Sequence, residues 1–135
     1  MASWRLMKPQ VVLDASALLV YLQQEKGYKE VENALVNGAA ISTVNLAEVY
    51  RKIVSEEWDL EEVRALLKAL GLIILPFDED EAKISAELYP ISKSLGLSLG
   101  DRACLSLGLK RGLPVLTTDK TWSKINLEID IRVLR

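Results

Sequence analysis

A chain of 135 residues that is half hydrophobic and 27% charged suits a single globular domain, and at that length folding buries roughly 68% of the surface the unfolded chain exposes. It contains no histidine and one cysteine, which excludes Ser-His-Asp and Cys-His catalysis, an intrachain disulfide and a cysteine-rich zinc site. A formal net charge of −2 argues against binding nucleic acid by bulk charge, leaving only local basic patches for that purpose.

The segment Met1 to Gln10 carries Arg5 and Lys8 but no apolar core of a secretory signal, and no apolar run approaches the ~20 residues of a membrane span. A cytoplasmic protein without a membrane segment is expected. Residues 1–6 read as an extension outside a domain spanning 7–135. Val11-Val12-Leu13 then forms a short apolar strand that runs into Asp14 and a helical pattern through Ala17, Leu18 and Tyr21. In an open parallel sheet, functional groups collect beyond the carboxyl ends of the strands, so Asp14 is the first candidate functional residue. Its alternative role is N-cap of the following helix.

Gly27 is expected to end that helix, and Tyr28 to Val36 makes a second one. Ala39-Ala40-Ile41 is a buried strand, after which Ser42 or Thr43 caps a helix from about Val44 to Ser55. The periodicity assigns Val44, Ala47, Ile53 and Val54 to its apolar face. Glu48 and Lys52 stand four apart, the spacing of an exposed ion pair. Asp59 opens a further helix that Gly71 ends, and Leu72-Ile73-Ile74-Leu75 is a continuous apolar strand of the kind covered on both faces. Asp78, Glu79, Asp80 and Glu81 suit the positive end of the next helix, which Pro90 should kink or break.

Ser98 and Asp101 hold the spacing of a capping box at the head of a mostly apolar helix that includes Cys104, read as a buried and inert thiol. Val115 to Thr118 is the fourth strand and Asp119 stands past its end, repeating the placement of Asp14. Ile131 to Leu134 is the fifth. Strands alternating with helices predict an α/β domain, a doubly wound parallel sheet of about five strands in an order like 3-2-1-4-5.

In that order Asp14, Glu48, Asp101 and Asp119 all lie on one rim. At ~5 Å and an effective dielectric of ~20, each ionised pair repels by about 3 kcal/mol, so the cluster must take up protons or a cation. An oxygen-only donor set selects Mg²⁺ or Mn²⁺, and water activated by such an ion replaces the missing histidine base.

The segments VVLDASALL, ISTVNLAEVY, GLSLGDRACLSLG and PVLTTD, in this order, resemble a PIN-domain ribonuclease, most closely the VapC-like toxin type, from Val11 to Leu134. The resemblance implies that Asp14, Glu48 and Asp101 are the acidic metal-binding triad and Asp119 the fourth acid, with Ser16, Asn45 and Thr118 beside them as residues that orient ligands or water. It implies hydrolysis of RNA phosphodiesters, an antitoxin partner and a homodimer. Arg51, Lys52, Arg102 and Lys120, with Lys110, Arg111 and Lys124, are candidate RNA-contacting residues. The alternatives are a metal-dependent phosphatase of the same sheet type, disfavoured by Ser16 where a second Asp would stand, and a noncatalytic interaction module.

Overall fold

A computed structural model describes residues 8–134, so the expected extension at 1–6 lies outside the described residues. Five strands, β1 (Val11–Leu13), β2 (Ala39–Ser42), β3 (Ile73–Leu75), β4 (Val115–Thr117) and β5 (Ile131–Val133), form one sheet in the order β3-β2-β1-β4-β5. Every pairing is parallel, as expected, and β1 is central. Seven α-helices are present among the described residues: α1 (Ala15–Leu22), α2 (Tyr28–Asn37), α3 (Thr43–Ser55), α4 (Leu60–Ala69), α5 (Glu79–Glu87), α6 (Tyr89–Leu95) and α7 (Leu99–Arg111). A 3-10 turn covers Lys120–Lys124.

Side chains alternate across a strand, and β1 shows it. Val11 and Leu13 enter a core built from α1, α2, α3 and α4, whereas Val12 joins Cys104, Leu105, Leu107 and Trp122 on the opposite face. The sheet is therefore covered on both sides, and the carboxyl ends of β1, β2 and β4 open on one rim.

Local chemistry sets the helix boundaries. Asp14, Ser42, Asp59, Asp78 and Ser98 each accept a backbone N–H in the first turn of the helix that follows. Pro90 falls in the first turn of α6, where its missing N–H is not needed, so the chain breaks between α5 and α6 rather than kinking within one helix.

Three expectations change. The first helix stops at Leu22, well short of Gly27, which with φ of 97° instead opens α2. In α3 the buried residues are Asn45, Leu46, Val49 and Ile53, while Ala47 and Val54 face water, because the helix turns Asn45 inward to bind a neighbour. Strand β3 is a sheet edge: Leu75 packs on the second core, but Ile74 is 45% exposed, so the strand is covered less fully than its apolar run predicts.

Candidate active site

Asp14 follows the central strand and is buried. Its Oδ1 accepts from the Ala17 N–H at 2.8 Å and from Ser16 Oγ at 2.7 Å, and its Oδ2 accepts from Thr117 Oγ1 at 2.5 Å. It is both the N-cap of α1 and a carboxylate held from both sides. Burial pushes its pKa from 3.8 up to about 6 against those hydrogen bonds, and the nearby charge of Asp101 adds to the rise.

The residue that fastens Asp14 from the next strand is Thr117, not Thr118. Leu13 is in register with Leu116, so the next position on β4 stands level with Asp14. Thr118 offers only its backbone N–H, to Ser16 Oγ at 3.1 Å. Parallel register, counted one residue past the Leu13–Leu116 pair, is the signal that identifies Thr117.

Glu48 arrives from α3. Asn45, buried one turn earlier, donates from Nδ2 to Glu48 Oε1 at 3.0 Å and to the Gly100 carbonyl at 2.9 Å, which ties α3 to the head of α7. The Glu48 carboxylate lies against Gly100, so close that a Cβ there would stand 2.6 Å from Oε2. It thus faces the end of a helix that favours negative charge. Lys52 pairs with Glu56 at 2.8 Å, so the i,i+4 pair of the sequence reading forms one turn later than expected and leaves Glu48 to the site.

Asp101 closes the capping box: its Oδ2 accepts from the Ser98 N–H at 2.9 Å, and its own N–H donates to Ser98 Oγ at 3.1 Å. The capping-box reading of this residue is borne out, and its charge reaches Asp14. Cys104, one turn further on, is fully buried, and its thiol is pushed well up, first by burial and then by the charges of Asp14, Asp101 and Glu48. The charges of three acids from three separate segments thus bear on this one thiol, with Asp14 buried, Asp101 half-buried and Glu48 exposed.

Asp119 stands apart from them. It is exposed, and its Oδ1 accepts from the Thr121 N–H at 2.9 Å and from Thr121 Oγ1 at 2.7 Å, capping the 3-10 turn. Its backbone N–H donates to Thr117 Oγ1 at 3.1 Å, which links it to Asp14 through one hydroxyl. Among the described residues no three Asp, Glu or Cys side chains form a ready metal cage.

The donor set nonetheless fits a hard divalent cation. Mg²⁺ keeps several waters and is commonly held by one or two carboxylates rather than by a full protein cage. Asn45 Oδ1 is buried without a hydrogen-bond partner beside Glu48, Asp14 is an acid raised by burial, and the liganding atoms on offer are all oxygen.

Of the candidate RNA-contacting residues, Arg51 and Lys120 are exposed on the surface. Arg102 is half-buried, with Nη1 donating to the Ser85 carbonyl at 3.4 Å and its guanidinium 5.7 Å from the centre of the Tyr89 ring. Lys110 belongs to an ion cluster with Asp78, Asp80 and Glu81, so its charge is committed within the protein.

Residues 11–127 match the PIN domain family. The fold is similar to DNA-bound VapBC of Salmonella typhimurium, with a TM-score of 0.72 at 18% identity over 92% of this chain and 97% of that one. It is similar to VapBC-5 of Mycobacterium tuberculosis, with a TM-score of 0.59 at 26% identity over 93% and 100% of the two chains. VapC20 of the same organism, described as a Sarcin-Ricin loop cleaving toxin, gives 0.68 at 13% identity over 89% and 98%. No curated protein sequence matches the chain.

Proposed function

Because its residues 11–127 match the PIN domain family, the chain belongs to that family, and from this premise we propose that it is a metal-dependent ribonuclease acting as the toxin of a toxin–antitoxin pair. The observation that carries the reading is the placement of Asp14, buried at the end of the central strand, and of Glu48, held by Asn45 against the Gly100 that precedes Asp101, at the rim where a parallel sheet presents its functional groups. The likeness to VapBC complexes supports an antitoxin partner, and we extend the reading to a homodimer whose paired sites share one groove. Among the described residues no helix is long and apolar enough to cross a membrane.

Asp14, Glu48 and Asp101 would hold Mg²⁺ or Mn²⁺, with Asp119 able to join by leaving Thr121. When bound, such an ion neutralises phosphate charge and lowers the pKa of water. The protein contributes orientation. Thr117, Ser16 and the Ala17 N–H fix both oxygens of Asp14, and Asn45 holds Glu48 against Gly100. With the carboxylates placed before substrate arrives, little reorganisation is needed at the moment of reaction.

The test is cleavage of total RNA by the purified protein in Mg²⁺ or Mn²⁺, in EDTA, and with Asp14→Asn and Asp101→Asn. Cleavage that needs the metal and falls at least a hundredfold in either variant is expected. Equal cleavage in EDTA would overturn the metal-dependent reading.

A further inference from the structure

Tyr89 opens α6 on the side of the molecule where α5 packs against α7, and it is 54% exposed. Its ring is not loose, because the Arg102 guanidinium lies over one face at 5.7 Å from the ring centre, within the range of a cation–π contact. Arg102 is itself anchored, with Nη1 donating to the Ser85 carbonyl at 3.4 Å and Nε buried without a partner. The next residue back is Asp101, one of the candidate acids, and Leu99 beyond it is 53% exposed. A flat aromatic surface is thus backed by a cation carried on the residue that follows Asp101 in α7.

We propose that Tyr89 and Arg102 form a stacking platform for one unpaired base of the RNA, a few nucleotides from the bond that is cut. The inference rests on the ribonuclease reading above and names what that site holds beside the scissile phosphate. Every base has a π face, so an aromatic platform favours unstacked, single-stranded or loop RNA over a duplex without choosing a sequence. The guanidinium adds positive charge under the ring in a chain whose net charge is −2, so affinity comes from local chemistry rather than from bulk attraction.

The experiment uses a single-stranded oligoribonucleotide that the wild type cleaves, with an abasic residue moved along the positions flanking the cut. Tyr89→Ala is expected to raise KM about tenfold and to leave kcat within about twofold, whereas Tyr89→Phe keeps the wild-type KM. At one position the abasic substrate should abolish the difference between wild type and Tyr89→Ala. A KM unchanged in Tyr89→Ala, or a defect that persists wherever the abasic residue is placed, overturns the platform; the latter points instead to a contact with the RNA backbone or to a structural role for the ring. The same oligonucleotide carrying 2-aminopurine gives a readout independent of cleavage. Quenching on binding that is lost in Tyr89→Ala and kept in Tyr89→Phe supports the platform even if the protein cleaves no RNA, whereas identical quenching in all three rejects it.

Discussion

The Glu48 carboxylate occupies the space that the Cβ of any larger residue at position 100 would need, 2.6 Å from its Oε2. Real atoms do not approach so closely, so the glycine is required by the carboxylate and not by its backbone angles. Gly100→Ala should push Glu48 off Asn45 and lower kcat/KM about a hundredfold, since a displacement near 1 Å in a catalytic group costs on that order. Circular dichroism and Tm should stay close to wild type. Undiminished cleavage would show that Glu48 does not work from this position.

Asp14 makes the metal-free protein sensitive to pH. Its carboxyl titrates near 6 in the fold against an ordinary 3.8, so the folded state binds this proton more tightly than the unfolded chain does. The corresponding stability is full below about pH 4 and is lost as pH rises through about 6. Asp14→Asn keeps an oxygen to cap α1 and carries no charge. In EDTA at pH 7.5 it should gain up to about 3 kcal/mol over wild type, and the gain should vanish by pH 4. Thermal melts across that range decide the matter.

Lys110 is expected to matter for stability and not for RNA. It pairs with Asp78 and lies 3.7 Å from Glu81 Oε2. Glu81 is only 2% exposed, and burial, with the Asp78 charge, raises its pKa. Lys110→Met should lower Tm by several degrees at neutral pH, by leaving a buried carboxylate without its cation. The loss should shrink in acid, where Glu81 is protonated, and Glu81→Gln should recover part of it. RNA affinity that fell in step with Lys110→Met would reassign this lysine to the substrate.

Arg51 is exposed and pairs with no acid among the described residues, whereas Lys52 is held by Glu56 at 2.8 Å. If the α3 flank meets phosphates, Arg51→Gln should weaken RNA binding and reduce the slope of log affinity against log salt by about 1, with Lys52→Gln doing less. A slope unmoved by Arg51→Gln would take α3 out of the RNA path.

The order of the sheet and most helix starts are legible in the residues, because they rest on short-range chemistry. Asp14, Asp59, Asp78 and Ser98 announce caps within a few positions of themselves, and alternation of strand and helix leaves few topologies for a parallel sheet. Long-range choices are not legible in this way. Asn45 looks like a helix-start polar residue until Gly100 is brought beside it from 55 positions away. Glu81 looks like a solvated first-turn acid until Lys110 closes over it. Thr117 and Thr118 differ only in parity along a strand, and register with Leu13 decides between them. Of the four acids, Glu48 lies against the Gly100 that precedes Asp101, while Asp119 is engaged by Thr121, a local competitor two residues away.

The bond between Thr117 and Asp14 joins positions 103 apart in the chain, and β1 receives its β4 neighbour only after nearly all of the sequence exists. A polypeptide still emerging from the ribosome carries Asp14 and Glu48 long before it carries Asp101 or the strand that holds Asp14 in place. On the ribonuclease reading proposed above, a fragment that ends before Asp101 should cleave no RNA, because it lacks both that acid and the strand that fixes Asp14.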